Sequence, residues 1–177
     1  MKEQTFDIPA LPNTVEEFLS LRGDLATTPH GGAVVYAVAL VTYAGDPELG
    51  LQMLTIAMDV SELSDGSVYK GKAPGRRRLQ ELKERIGARP YVARSYIQGT
   101  SPENQYAIPS GPLQVKIREQ VRDVADDRAK VFVHSTGADS PRPITLLKNS
   151  RGVWKAKAYG SLDVGVRPPV AATDDDL

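Results

Sequence analysis

The apolar positions in the first half of the chain repeat at the spacing of α-helices. A short helix is predicted after Asn13 and Thr14, whose side chains can cap a helix that carries glutamates in its first turn. A longer helix is predicted from Pro29 to Gly45, because proline suits the first helical position and glycine often follows the last. This second segment is apolar on nearly every side, which is typical of a helix buried at the centre of a domain.

Two further helices are predicted on either side of a connector. Asp46 and Pro47 repeat the same start signal, and apolar residues then recur at helical spacing as far as Val60. Residues 61–75 contain several glycines and prolines among polar residues, so this segment is predicted to be a loop. Residues 76–87, RRRLQELKERIG, form one apolar stripe and place opposite charges four residues apart on the other face, as in an amphipathic helix.

After Pro90 the apolar period falls from about 3.6 residues to about two. Residues 91–97 are predicted to be a strand, and residues 113–121 and 129–135 alternate apolar with polar side chains. Residues 144–159 are predicted to form a β-hairpin around the turn sequence NSRG. Helices followed by such strands predict an α+β fold, with N-terminal helices packed on a C-terminal antiparallel β-sheet.

Length and composition restrict the classes of protein that remain. The 177 residues fit a single domain, predicted over residues 1–169, with a disordered acidic tail over residues 170–177. Lysine and arginine together number 22, as do aspartate and glutamate, so the net charge gives no general attraction to nucleic acid. The absence of cysteine excludes disulfides, thiolate nucleophiles and cysteine-ligated zinc.

Signals for membranes and export are weak in this sequence. The most apolar run, residues 33–41, is too short to cross a bilayer, which takes about 20 residues. The first residues lack the apolar core of a signal peptide. A cytoplasmic protein that does not contact membranes is therefore expected.

The stretch HSTGADSPRP, residues 134–143, contains the residue types of a catalytic triad. His134, Ser135, Asp139 and Ser140 supply a base, two hydroxyls and an acid. However, adjacent residues of a strand point to opposite faces, and the two prolines stiffen the backbone that follows. We therefore interpret the stretch as a connector between strands, and no catalytic residue is assigned.

Five cations cluster around the start of the last predicted helix: Lys70, Lys72, Arg76, Arg77 and Arg78. Arginines in a first turn oppose the helix dipole, so the cluster is a candidate anion-binding site. The alternative is a solvated face on which the arginines pair with Glu81 and Glu84, and this interpretation is favoured.

Metal and nucleotide sites are not predicted. The two histidines, His30 and His134, lie far apart in the chain, and the acidic residues show no EF-hand spacing. The sequence has no GxxxxGK[ST] motif and no strand–GxGxxG–helix unit. We therefore expect neither a metal nor a cofactor.

Three segments resemble an uncharacterised family of small bacterial proteins. They are GRRRLQEL at residues 75–82, RSYIQGTSPENQY at residues 94–106, and residues 131–169, which contain GADSPRPI and a later RPP. The family pattern pairs SY..G..PEN.Y with GADSPRPI...W...Y.SL..G.RPP, and Gly160 here replaces the first of two serines. The resemblance implies a bacterial source and a compact α+β domain, and it carries no known activity.

The same resemblance suggests that the PEN.Y and GADSPRPI segments are neighbours in space. Glu103, Asp139 and Arg142 are then a candidate structural polar cluster, in which Arg142 binds the Glu103 carboxylate through two hydrogen bonds. Such a cluster would stabilise the fold rather than take part in a reaction.

The function predicted from the sequence is that of a non-enzymatic module that binds a protein partner, because no catalytic constellation emerges. The alternative is a module that binds an anion, a nucleotide or a nucleic acid through residues 70–78, although nucleic acid is not the expected partner. A third alternative is an enzyme whose acid–base groups are carboxylates that lie far apart in the sequence.

Overall fold

A computed structural model describes residues 2–119 and 125–171 of the chain. The α-helices in these residues are α1 (Val15–Leu25), α2 (Pro29–Gly45), α3 (Pro47–Ala57), α4 (Arg76–Glu81) and α5 (Pro90–Arg94). The strands are β1 (Lys2–Ile8), β2 (Leu63–Tyr69), β3 (Lys72–Pro74), β4 (Leu113–Glu119), β5 (Arg128–Val133), β6 (Arg142–Lys148) and β7 (Trp154–Ala158). A π-helix (Leu82–Gly87) continues α4, and 3₁₀ turns span Val60–Glu62 and Gly160–Asp163.

One antiparallel sheet holds five strands in the order β1-β4-β5-β6-β7, and one face of it packs against α2. The side chains on this inner face are those that the alternation predicts, and Val115, Val131 and Ile144 have no exposed surface. Helix α2 is buried continuously from Gly31 to Tyr43, as its apolar sequence predicts. The α+β fold, with N-terminal helices on a C-terminal sheet, is confirmed.

The predicted helix starts are also confirmed. The hydroxyl of Thr14 accepts from the amide of Glu17 at 3.1 Å, and the Glu17 carboxylate accepts from the amide of Asn13 at 2.7 Å. Thr28 and Asp46 cap α2 and α3 in the same way. These caps fix where each helix begins, so they position the short connections between the helices.

Helix α2 approaches the sheet closely at Gly32. A Cβ atom added there would lie 2.8 Å from Cβ of Trp154 and 2.9 Å from Cδ2 of Leu146. The missing side chain therefore lets the helix backbone rest directly on β6 and β7.

Two predicted elements are wrong. The sequence predicts a strand over residues 91–97, but the segment forms α5 and the turns that follow it. Pro90 occupies the first helical position, and the buried residues Val92, Ala93, Tyr96 and Ile97 recur at helical spacing. Side chains at that spacing face the same way on a helix, and here they cover α2.

The second wrong prediction is the loop over residues 61–75, which contains the hairpin of β2 and β3. Lys70 and Gly71 form its turn, and both have positive φ, +46° and +77°, as in a type I′ turn. Lysine at the first of these positions hides the turn signal, which is strongest for asparagine followed by glycine.

Strand β1 is an element that the sequence does not predict, because its residues carry little apolar alternation. It pairs with β4 along its whole length.

Of the predicted acidic tail, residues 172–177 lie outside the described residues. Among the helices that the structure describes, none combines the length and the apolar character needed to cross a membrane.

Candidate functional site

The basic cluster predicted at residues 70–78 divides between two pockets. Lys70 and Lys72 belong to the β2–β3 hairpin and line one pocket, whereas Arg77 and Arg78 belong to α4 and line another. Arg76 is exposed at the start of α4. The five cations therefore do not form one anion-binding surface.

The first pocket, here called the Lys155 pocket, has a volume of about 340 Å³. It lies where α1 and the end of α3 meet the β2–β3 hairpin and the loop between β6 and β7. Its lining residues are Arg22, Thr55, Ile56, Met58, Asp59, Val60, Leu63, Tyr69, Lys70, Lys72, Asn149, Ser150 and Lys155. The pocket thus combines an apolar wall with several cations and a few uncharged polar groups.

Four of these lining residues are cationic, whereas Asp59 alone of the same set carries a carboxylate. Lys72 binds Asp65 at 2.9 Å, but this pair is largely exposed to solvent. Within residues 2–119 and 125–171, Arg22 and Lys70 form no ion pair. The pocket therefore carries an excess of positive charge that an anion could neutralise.

Lys155 is a partly buried cation of the pocket. Its amine donates to the main-chain carbonyl of Ile56, in the last turn of α3. Burial and, to a smaller extent, the charge of Arg22 lower the pKa of Lys155 to about 8, while the charge of Asp59 acts in the opposite direction. A substantial fraction of this amine is therefore neutral at mildly alkaline pH.

Asp59 is held in place on the same wall. Its amide donates to the carbonyl of Ala156 at 2.8 Å, which attaches the segment after α3 to β7. Its carboxylate accepts from the amide of Ser61 at 3.0 Å and from the Ser61 hydroxyl. These bonds to Ser61 fix the orientation of the carboxylate on this wall.

The second pocket, here called the Tyr159 pocket, has a volume of about 440 Å³. Its lining residues are Glu62, Gly75, Arg77, Arg78, Glu81, Lys157, Ala158, Tyr159 and Gly160. Its charges are matched in pairs. Glu62 accepts from Lys157 and from Tyr159, both at 3.0 Å, and Glu81 lies between Arg77 and Arg85, as the sequence predicts.

Arg78 forms the floor of the Tyr159 pocket and is 4% exposed. Its guanidinium donates to both carboxylate oxygens of the buried Asp163 and to the hydroxyl of Tyr36 at 2.6 Å. The same group lies 4.5 Å from the centre of the Tyr159 ring. The charge of Arg78 is neutralised by Asp163 within the protein. These contacts connect α4 to α2 and to the turn Gly160–Asp163.

The HSTGADSPRP stretch connects β5 to β6, and its polar groups have separate partners. Nδ1 of His134 lies 2.8 Å from the side-chain amide of Gln98, and the Ser135 hydroxyl donates to Ser95 at 2.8 Å. Burial lowers the pKa of His134, and the charge of Lys116 adds to this effect. His134 and Ser135 are thus not hydrogen-bonded to each other.

The candidate polar cluster has different contacts from those expected. The sequence predicts that Arg142 binds Glu103, but its Nε donates to the carbonyl of Ser161 at 2.9 Å. Asp139 accepts from Arg167 at 2.6 Å on the surface, and Glu103 is exposed. The PEN.Y and GADSPRPI segments do meet, because a Cβ at Gly137 would lie 2.0 Å from the hydroxyl of Tyr106.

The sequence pattern does not distinguish the residues that form the Lys155 pocket. Lys155 and Lys157 both fall on the polar side of β7, and nothing local separates them. Arg22 looks like an ordinary polar residue of α1. The local signal that is available is Gly71 between Lys70 and Lys72, because a glycine permits the positive φ of a turn, and this turn brings the two lysines towards the end of α3.

Among residues 2–119 and 125–171, no group of three histidine or acidic side chains could hold a metal ion.

Comparisons with known proteins place the chain in a family. No curated protein matches the chain, and no solved structure matches it. A family model described as "Domain of unknown function (DUF6935)" matches residues 10–170. This match confirms the resemblance to an uncharacterised family, and the chain therefore belongs to the family of the domain of unknown function DUF6935.

Proposed function

We propose that this domain binds a small organic anion, such as a phosphate ester or a carboxylic acid, in the Lys155 pocket. The observation that carries the proposal is the convergence of Arg22, Lys70, Lys72 and Lys155 on one cavity. These cations come from α1, the β2–β3 hairpin and β7, so the fold brings them together. This placement develops the anion-binding alternative, with the site moved from the start of α4 to the hairpin.

The electrostatics of the pocket favour an anion over a neutral ligand. Like charges in a partly buried cavity repel one another, and the effect of Arg22 on Lys155 is one consequence. A bound anion would remove this repulsion and would favour the protonated form of Lys155. By linkage, the affinity for an anion should then fall as the pH rises through about 8, where the unliganded amine loses its proton.

The uncharged part of the lining indicates what the anion is attached to. Met58, Leu63 and Tyr69 provide apolar surface, while Thr55 and Asn149 provide hydrogen-bonding groups. A cavity of about 340 Å³ is within the range of small-molecule pockets. An anionic group on a small apolar or aromatic body would use both parts of the lining.

The test is calorimetric titration with inorganic phosphate and with phenyl phosphate at pH 7 and low salt. We expect phenyl phosphate to bind more tightly, and we expect Arg22→Gln and Lys70→Asn each to weaken binding about five- to tenfold, or about 1–1.4 kcal/mol. The matched control is Arg77→Gln, which removes a cation from the Tyr159 pocket and should leave the affinity unchanged. Absence of saturable binding, or equal weakening by Arg77→Gln, would show that the proposal is wrong.

A second candidate function is binding of an acidic protein segment on the outer face of the sheet. Phe132, Pro143 and Leu147 are partly exposed on the face away from α2, and Lys116 and Lys130 lie on the same face. This surface supports the partner-binding function predicted from the sequence, and a bacterial, cytoplasmic setting belongs to the same proposal. The positive charges around apolar side chains favour a partner with glutamates and aspartates beside apolar residues.

This second candidate is tested with fluorescent poly-glutamate and with a fluorescent oligothymidylate of similar charge. We expect the peptide to bind, and we expect Lys130→Glu to abolish its binding while Lys83→Glu on the helical side has no effect. Binding of the oligonucleotide alone would replace the protein partner with a nucleic acid, and binding of neither probe would remove the candidate.

A further inference from the structure

We infer that the amine of Lys155 attacks the carbonyl carbon of small anionic aldehydes or ketones, so that the Lys155 pocket binds such ligands covalently as imines. This inference rests on the proposed function, because the cations of the pocket would hold the anionic end of the ligand. It adds a chemical class, the carbonyl compound, and a bond to a named atom.

The position of Lys155 sets it apart from the neighbouring lysine of the same strand. Lys157 lies two residues further along the same face of β7, and its amine is held by Glu62 at 3.0 Å and by Ser61 at 2.8 Å. The Lys155 amine has a main-chain carbonyl as its partner, that of Ile56, and Lys155 lines the cavity. A carbonyl oxygen accepts a hydrogen bond from a neutral amine as well as from an ammonium ion, so this contact does not require the charge.

The environment of Lys155 supplies the reactive form of the amine. A nucleophilic lysine must be neutral, and desolvation or a nearby cation achieves this in proteins. Both conditions are present, since burial and Arg22 lower the pKa of Lys155 to about 8. The nitrogen is then available at a pH where an exposed lysine is almost entirely protonated.

The reaction balances without an oxidant or a reductant. The nitrogen lone pair of Lys155 forms a bond to the carbonyl carbon, and the carbonyl π electrons move to oxygen. Transfer of protons from nitrogen to oxygen gives a carbinolamine and then expels water, which leaves a C=N bond. Asp59 lines the same pocket, and its charge acts on Lys155, so its carboxylate can accept and return a proton during these steps.

The cations select among carbonyl compounds. Arg22, Lys70 and Lys72 line the pocket around Lys155, so a carboxylate or phosphate on the ligand can pair with them while its carbonyl group meets the amine. A neutral aldehyde of the same length gains no such pairing. The preference between an anionic and a neutral aldehyde therefore tests the inferred site directly.

The experiment is reductive trapping with sodium cyanoborohydride at pH 8, followed by peptide mapping. Succinic semialdehyde is the anionic probe, and butyraldehyde is the neutral probe of equal chain length. We expect succinic semialdehyde to label Lys155 at least tenfold more than Lys157, and we expect butyraldehyde to show little preference between them. Inorganic phosphate should slow the labelling of Lys155, and Lys155→Arg should remove the dominant label, whereas Lys157→Arg should keep it.

The outcomes separate this inference from the proposed function. Equal labelling of both lysines by succinic semialdehyde, or an unchanged label in Lys155→Arg, overturns the inference. If phosphate still binds the wild-type protein in that case, the proposed function stands. If Lys155 reacts equally with both aldehydes and phosphate does not bind, the pocket is not an anion site and both proposals are overturned.

Discussion

Arg78 and Asp163 form a buried ion pair that joins the first turn of α4 to the 3₁₀ turn after β7. Their side chains are 4% and 0% exposed, and Tyr36 of α2 shares the guanidinium. Among the described residues, Nε of Arg78 is a buried polar atom with no hydrogen-bond partner. The position of α4, and with it the floor of the Tyr159 pocket, depends on this pair.

Removal of one partner of the pair should therefore be costly. We expect Asp163→Asn to lower the free energy of unfolding by about 3–5 kcal/mol, because it leaves a buried guanidinium charge without its counter-ion. Urea denaturation measures this change. The double variant Arg78→Met/Asp163→Leu should lose less stability than Asp163→Asn alone, and the surface variant Asp139→Ala should lose little. A double variant that is less stable than the single one would contradict this account.

The hairpin turn allows stability to be separated from binding. Lysine at the positive φ of Lys70 is unfavourable, whereas asparagine followed by glycine is the preferred pair for this turn. We expect Lys70→Asn to raise the free energy of unfolding by a few tenths to about 1 kcal/mol. The same variant should bind phenyl phosphate more weakly, since it removes a cation of the Lys155 pocket. Thermal unfolding and calorimetry on one preparation check both results. If the variant loses both stability and affinity, the weaker binding follows from a disturbed fold and not from the loss of the charge.

The lowered pKa of Lys155 predicts how stability depends on pH. Its folded value, about 8, lies below its ordinary value, 10.5, so between these values the unfolded chain holds a proton that the folded chain lacks. The contribution of Lys155 to stability should therefore increase as the pH rises from about 8 to 10.5, and it is unfavourable at neutral pH. Lys155→Met removes this dependence. The free energy of unfolding of the wild type should therefore rise relative to that of the variant across that interval. Urea denaturation of both proteins at several pH values measures it; a constant difference would contradict the prediction.

Two glycines in helices should respond oppositely to the same substitution. Gly32→Ala places a methyl group against Trp154 and Leu146 at less than 3 Å, and we expect overpacking to cost about 1–3 kcal/mol. A methyl group added at Gly23 in α1 would meet none of the described residues within 4 Å, so Gly23→Ala should stabilise the protein by about 0.5–1 kcal/mol. Urea denaturation of the two variants provides the comparison, and a destabilised Gly23→Ala would show that α1 has less room than its geometry indicates.

The sequence alone is sufficient for the elements that carry strong local signals. Caps at Thr14, Thr28 and Asp46, together with apolar residues at helical spacing, determine α1, α2 and α3. Strict alternation determines β4 and β5. These signals act over a few residues, and the propensities agree with the burial that the fold requires.

Tertiary structure decided the elements whose local signals are weak. Strand β1 is mostly polar, and it exists because the edge of β4 offers it hydrogen-bonding groups along its whole length. Residues 91–97 contain β-branched and aromatic residues, but their contact with α2 favours a helix, because the buried side chains then share one face. Context overrides propensity where a segment gains more from packing than from its intrinsic preference.

The candidate site was also decided by tertiary structure. The sequence identifies the cations of residues 70–78, yet the β2–β3 hairpin and α4 direct them into different pockets. Lys155 acquires its lowered pKa from burial beside Ile56 and Arg22, which lie far from it in the chain. Electrostatic environment depends on distance in space and on the exclusion of water, and neither quantity is encoded in the local pattern of residues.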